Sequence, residues 1–315
     1  MHIVVLGGTG HIGSFAVPRL IQAGHSVTVV SRGNRDPYFT HVAWKKVKRL
    51  SIDRERAETE GTFGKQIADL KGDVIIDLIC FTQESGEQLV EELRGKITHL
   101  LMCGTVWING ISRTVPFTEE SLREPFGDYG INKAKLTNYL LYEARTNNFP
   151  VTVFHPGHIV GPGWIPLNPQ GNFNIEVWKA IKAGKQLLLP NQGMETVHHV
   201  HADDVASVCI GAMENRSVSI GESFLALSSG AVTLRGFAEA AFRWFGHEPN
   251  LKFACWEDFK KRVSEEDAWF TDDHISRSPC GSIEKAKRLL QYSPRYTSLQ
   301  AVFESVMHLQ REGII

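Results

Sequence analysis

The sequence predicts an α/β protein organised on a doubly wound parallel sheet, and three observations carry that expectation. Apolar runs of strand length alternate with segments of helical spacing from residue 2 onward. The first run, HIVVL, passes through glycines at positions 7, 10 and 13 straight into an amphipathic helix. From residue 161 the alternation gives way to Gly-, Pro- and aromatic-rich segments, which predicts a smaller, mixed C-terminal region. Parallel strands of this kind need right-handed crossovers and place a ligand at their carboxyl ends.

The elements follow in order. After Gly13, the residues Phe15, Val17, Leu20 and Ile21 share a helical face that ends at Gly24, which suits the left-handed position past a helix end. Pro18 is expected near the first turn, where a missing N–H costs least. Residues 26–30 read as a buried strand, 47–52 as a third, 73–79 (DVIIDLI) as a clearer fourth and 97–102 as a fifth, with helices over 63–70 and 83–94. The fifth strand runs into Cys103-Gly104-Thr105-Val106-Trp107 and an irregular stretch to Asp128; a loop this long beside a ligand edge points to function. Asp128 is placed to cap a helix over 129–145, and a sixth strand covers 151–154. An excursion out of the sheet follows, then a helix over 173–183, a short apolar run at 187–189 and a segment at 196–201. Asp203 and Asp204 are expected to start a helix over 205–213. A strand over 224–227, a helix capped by Thr233 and helices over 283–290 and 299–309 complete the chain.

Composition narrows the function classes. With 34 basic against 35 acidic residues the formal charge is −1, so no global field recruits nucleic acid or an anionic membrane surface. No run approaches the roughly 20 apolar residues that span a bilayer, and no basic segment precedes the first apolar run. The five cysteines, Cys80, Cys103, Cys209, Cys255 and Cys280, are odd in number and lack a C-x-x-C pair, which fits a reducing compartment. A cytoplasmic protein with a small-molecule substrate and without nucleic-acid or membrane partners is expected. A homodimer stays open as its assembly.

The chemistry starts at the glycine loop. A strand that feeds a helix through such a turn aims unpaired backbone N–H groups and the positive end of the helix dipole at one point, and that point attracts phosphate. Gly7 lets the chain turn, Gly10 removes a Cβ where a pyrophosphate must approach, and Gly13 lets the helix lie close on the sheet. At the end of the second strand an acid accepts the 2′-hydroxyl of NAD, whereas a cation suits the 2′-phosphate of NADP. Between Ser31 and Arg35 stand Arg32 and Arg35 and no acid, so NADP is preferred over NAD. Farther on, Tyr129 and Lys133 are four residues apart and share one helix face. A tyrosine hydroxyl is a poor base at neutral pH; a nearby ammonium favours the phenolate and is expected to bring its pKa down toward the working range.

Together these segments resemble the short-chain dehydrogenase/reductase superfamily, in its extended branch of NAD(P)-dependent epimerases and dehydratases. Gly7-Gly8-Thr9-Gly10-His11-Ile12-Gly13 is similar to its cofactor loop, and Tyr129-Gly130-Ile131-Asn132-Lys133 to its active-site helix. His155 to Gly163 resembles the exit to the substrate domain, His198 to Ala206 the return to the sheet, and Lys285-Ala286-Lys287 to Pro294-Arg295-Tyr296 the C-terminal pattern. The resemblance implies a Rossmann-type NAD(P)-binding domain over 1–160, with a return segment near 196–222, and a mainly substrate-binding region over 161–315. It implies that Gly7, Thr9, Gly10, His11, Ile12, Gly13 and Lys133 hold the cofactor, that Arg32 selects the 2′-phosphate and that Asp53 lies near the adenine. Tyr129 becomes the general acid/base and Lys133 its partner. The family usually places Ser or Thr just after the fifth strand to hold the substrate oxygen; here Cys103 fills that slot, and Thr105, two residues on, carries the needed hydroxyl. His155 stands where the family commonly has arginine, which counts against a sugar-nucleotide diphosphate.

The histidines admit several readings. His198, His199 and His201 beside Asp203 and Asp204 have the composition of a metal site, but on a strand His198 faces away from the other two. No metal is expected. His199, with His155, His158 and Trp107, is assigned to a polar and aromatic wall of the substrate pocket. The function expected is hydride exchange between nicotinamide and a hydroxyl or carbonyl carbon of a sugar-like or polyhydroxylated small molecule. Whether the product is that of an epimerase, a dehydratase or a reductase stays open. The alternative is a non-catalytic NADP-binding sensor or scaffold of the same fold, motivated by the unusual Cys103-Gly104-Thr105 segment.

Overall fold

Seven short, mostly β-branched and leucine-rich strands assemble into one all-parallel sheet in the computed structural model, which describes residues 1–315. They are β1 (His2–Leu6), β2 (Ser26–Ser31), β3 (Lys48–Ser51), β4 (Val74–Asp77), β5 (His99–Cys103), β6 (Val151–Pro156) and β7 (Ser223–Ala226). Their order across the sheet is β7-β6-β5-β4-β1-β2-β3. The chain reverses its winding between β1 and β4, paired Ile3 to Val74, so a crevice opens at their carboxyl ends. The alternation legible in the sequence covers six strands. The seventh, Ser223–Ala226, is supplied from beyond the excursion and pairs with the edge of β6.

Side chains alternate through the sheet and fill a core layer on each face. Ile3 and Val5 pack with Val17 and Leu20 of the helix His11–Gln22 and with Val205 and Val208 of the helix Ala202–Glu214. Val4 and Leu6 pack on the other face with Leu89 and Val90 of Gln83–Leu93 and with Leu136 and Leu140 of the long helix Gly127–Asn147. A third core around Trp178, Phe237, Phe242, Leu189 and Val302 holds the C-terminal elements together. Three short strand pairs extend this half: His158–Val160 beside His199–His201, Leu187–Pro190 beside Leu251–Ala254, and Thr196–Val197 antiparallel to Val232–Thr233. No helix is long and apolar enough to cross a membrane.

Three local expectations are corrected. The helix Gly127–Asn147 is capped at Phe126 without a side-chain bond, and Asp128 sits inside its first turn, where its charge complements the helix dipole. The helix Ala202–Glu214 takes its cap from His201, whose Nδ1 accepts the Asp203 N–H at 3.0 Å. Asp204 instead accepts the backbone N–H groups of Arg295 and Tyr296, tying the C-terminal segment down. Pro18 lies well inside its helix and is buried, so packing outweighs a lost hydrogen bond that costs about 3 kcal/mol in an isolated helix.

Candidate active site

The glycine loop is built as its residue types require. Gly7 has φ of 77°, a conformation a side chain resists, and a Cβ there would lie 2.5 Å from Ile79 Cγ2. Its N–H donates to Val30 O at 2.8 Å, and the Gly10 N–H donates to Gly7 O at 2.9 Å. Gly13 does something other than expected: a Cβ there would fall 2.2 Å from Gly8 O, so the helix closes on the loop itself rather than on the sheet.

Two adjoining cavities run from this loop. One, of about 670 Å³, is bounded by Gly7, Thr9, Gly10, Arg32, Arg35 and Asp53. The other, of about 250 Å³, is bounded by Gly10, His11, Ile12, Cys103, Thr105, Tyr129 and Lys133. A dinucleotide has two such halves joined at a diphosphate, and the bare Gly10 Cα sits at the junction, so the residues present fit this group. Asp53 also caps the helix Arg54–Thr59 by accepting the Arg56 N–H.

In the smaller cavity the structure brings Tyr129, Thr105 and Lys133 together but corrects their electrostatics. The Lys133 ammonium is buried and donates to Cys80 O at 2.6 Å and to Cys103 O at 2.7 Å. Burial lowers its pKa, and its charge is spent on those carbonyls rather than on the phenol. Tyr129 accordingly does not become more acidic. Desolvation and the nearby Cys103 push its hydroxyl up to about 12, against a hydrogen bond with Thr105 that favours the phenolate. Thr105 and Cys103 both border the cavity beside Tyr129, and the Thr105 Oγ1 accepts the Trp107 N–H at 3.3 Å. The buried Cys103 thiol is pushed up to about 11 and points its sulfur at Gly104 O, 3.7 Å away.

The residues assigned to the substrate wall are dispersed, and none lines either cavity. His155 lies behind the loop, where its Nδ1 accepts the Thr105 N–H at 3.2 Å; a Cβ on Gly104 would meet that atom at 2.2 Å. It positions Thr105 rather than facing substrate. His158 is half-buried beside the buried His199 and His274, whose ring centroids lie 5.7 and 5.3 Å from its own, and desolvation depresses all three pKa values. Trp107 packs edge-on against Tyr129 at 5.7 Å and is held by the buried Arg277 guanidinium 3.8 Å from its ring. His198 bonds Ser228 O, His199 bonds Ser298 and His201 pairs with Glu304, so the three strand histidines serve separate partners. No three His, Cys, Asp or Glu side chains are placed to hold a metal ion.

Sequence reasoning missed the floor of the larger cavity. Arg54 donates to both oxygens of the buried Asp77 at 2.9 Å and to Glu58 at 2.6 Å, while Glu58 also takes the Ser85 hydroxyl. The signal was present: an aspartate inside the apolar run DVIIDLI demands a buried cation.

A doubly wound parallel sheet, a glycine turn at its switch point and a Tyr-x-x-x-Lys helix facing that turn define an NAD(P)-dependent enzyme of the extended short-chain dehydrogenase type. The family model described as "NAD dependent epimerase/dehydratase family" matches residues 3–225, and the chain belongs to that family. It is 27% identical, over 96% of its length and 78% of the relative's, to the chloroplast stem-loop binding protein of 41 kDa b from Arabidopsis thaliana. It is also 27% identical to 2'-dehydrokanamycin reductase from Streptomyces kanamyceticus, over 42% of this chain and 36% of that one. Among solved structures, dTDP-glucose 4,6-dehydratase from Bacillus anthracis in complex with NAD superposes with TM-score 0.74 and 19% identity, covering 100% and 98% of the two chains. UDP-glucose 4-epimerase from Thermotoga maritima with UDP-glucose gives 0.73 and 19%, covering 99% of each.

Proposed function

We propose that the chain exchanges a hydride between a nicotinamide cofactor and a hydroxyl or carbonyl carbon of a small, sugar-like molecule, with Tyr129 as the proton donor and acceptor. The observation that carries this is the smaller cavity, where Tyr129, Thr105, Lys133 and the glycine loop share one space. The bound cofactor supplies or takes the hydride. Tyr129 keeps its proton at neutral pH, so it is set to donate to a carbonyl oxygen that gains negative charge. Thr105 borders the same cavity, and its hydroxyl is the group we assign to holding the substrate oxygen. Lys133 has three donors and uses two on carbonyls, which leaves one for a ribose hydroxyl of the cofactor.

NADP is the cofactor we propose, because Arg32, at the end of β2, borders the larger cavity. With five free cysteines, a reducing compartment such as the cytoplasm is our proposal for location. The test is absorbance of the reduced nicotinamide in the presence of sugars and other carbonyl compounds. Net change marks a reductase or dehydrogenase, while conversion without net change marks an epimerase or dehydratase. Activity that survives Tyr129→Phe unchanged overturns the proton role.

A second reading, a cofactor-binding scaffold without turnover, is favoured by the Arabidopsis relative, whose name records stem-loop binding. The run Lys45-Lys46-Val47-Lys48-Arg49 at the β3 edge is the surface such a role would use. Salt-sensitive binding of an RNA hairpin, lost when these cations are replaced by serine, supports it; absence of binding at low salt removes it.

A further inference from the structure

The segment between β2 and β3 crosses the groove at the junction of the two cavities. Arg35, from this segment, is the only charged side chain that borders both cavities. A Cβ built on Gly10 would lie 3.8 Å from its Nη2, so the guanidinium stands over the bare backbone of the glycine loop. Arg32, three residues earlier, borders the larger cavity alone. Position in the groove therefore separates the two arginines, which sequence treats as equivalent.

The placement of Arg35 is built by three loops. Its Nη1 donates to the Tyr38 hydroxyl at 2.7 Å, and its Cζ lies 4.9 Å from the Tyr38 ring centre. The Tyr38 N–H donates to Ser14 Oγ at 3.0 Å, and Ser14 in turn donates to Gly10 O at 2.7 Å, which pins the segment to the glycine loop. His11 of that loop stacks on Trp164 with ring centroids 3.5 Å apart and planes within 7°, and Tyr38 packs against both rings. Trp164 belongs to the excursion that leaves the sheet after β6. Burial and the Arg35 charge depress the His11 pKa to about 4, so at neutral pH this stack adds no second positive charge beside Arg35.

We propose that Arg35 grips the diphosphate of the bound dinucleotide, and that Tyr38, His11 and Trp164 form the clasp that holds it across the groove. The chemistry follows from the position. The part of a dinucleotide that spans the two cavities is the diphosphate, which carries two negative charges, and a guanidinium above it makes charge-assisted hydrogen bonds that backbone N–H groups below cannot replace. The inference rests on the nicotinamide-binding reading, and it divides labour: Arg35 serves NAD and NADP alike, while discrimination between them falls to Arg32.

Titration of the purified protein with NADH and with NADPH, followed by nicotinamide fluorescence, tests this without any substrate. Arg35→Ala is expected to weaken both by the same factor, about tenfold or more, with Arg35→Lys restoring part of the loss. Arg32→Ala is expected to weaken NADPH alone. Trp164→Ala is expected to raise the dissociation rate of both several-fold by releasing His11 and Tyr38. A loss confined to NADPH in Arg35→Ala assigns that residue to the 2′-phosphate and overturns the proposal, as does no loss at all. Unchanged dissociation in Trp164→Ala overturns the clasp. Wild-type protein that binds neither dinucleotide overturns the nicotinamide reading together with this inference, whereas binding that ignores Arg35 overturns the inference alone.

Discussion

Two regions of the groove are made of different material. The glycine loop, which borders both cavities, is shaped by backbone: a glycine at positive φ, an absent Cβ at Gly10 and a helix closed tightly on Gly8. The smaller cavity is shaped by side chains gathered from distant segments, with Thr105 after β5, Tyr129 and Lys133 on a helix and His155 on β6 behind them. The backbone part tolerates no added atoms, while the side-chain part depends on hydrogen bonds and desolvation. Changes in the first should abolish binding and stability; changes in the second should spare binding and remove chemistry.

The largest effect expected is on the side-chain part. Tyr129→Phe should lower turnover by about 10²–10⁴-fold while leaving cofactor affinity and thermal stability near wild type. A parallel loss of cofactor affinity would break the contrast. Gly13→Ala is the counterpart: its Cβ meets the Gly8 backbone, which cannot give way as a flexible side chain would. It should cost about 3 kcal/mol in urea unfolding and remove dinucleotide binding.

Acid should act through the buried histidines. Burial depresses His11 to about 4 beside the glycine loop, and His198 to about 4 and His199 to about 3 in the return segment outside both cavities. An unfolded histidine takes up its proton near pH 6.5, whereas these stay neutral in the folded chain until far lower pH. Stability is therefore complete above about pH 6.5 and is lost as pH falls toward 4, at up to about 1.4 kcal/mol per histidine per pH unit. Urea midpoints at pH 7.5 and 5.5 measure this, and His199→Gln should flatten the dependence. The smallest effect is expected for Thr105→Val, which removes the hydroxyl assigned to the substrate oxygen and should slow turnover by about fivefold, or about 1 kcal/mol. Equal affinity for cofactor in that variant would sharpen the division between the two halves.

The halves also differ in how far they could be read ahead of the structure. Gly7, Gly10 and Gly13 declare themselves because only one residue type fits each conformation or contact; strand-helix alternation exposed six strands, and the apolar run at 224–227 announced the seventh. Tyr129 and Lys133 were found by spacing, and Thr105 through the resemblance that puts a hydroxyl just after β5. Their electrostatics were not: the ammonium that was expected to acidify Tyr129 is bound to the carbonyls of Cys80 and Cys103, and carbonyl groups leave no mark in a sequence. His155, His158 and His199 misled for a related reason, since a histidine that supports a loop or fills a core looks the same in sequence as one that faces a ligand.

By itself, then, the sequence determined the sheet, the glycine turn and the Tyr-Lys helix, because period-2 and period-3.6 patterning and the demands on glycine act locally along the chain. Tertiary structure alone decided that the strand beyond the excursion would pair with β6, that Arg54 would answer Asp77, and that Arg35 rather than Arg32 would stand over Gly10. Those outcomes rest on which distant segments share a few ångströms of space, and desolvation and charge pairing take effect only once that space exists.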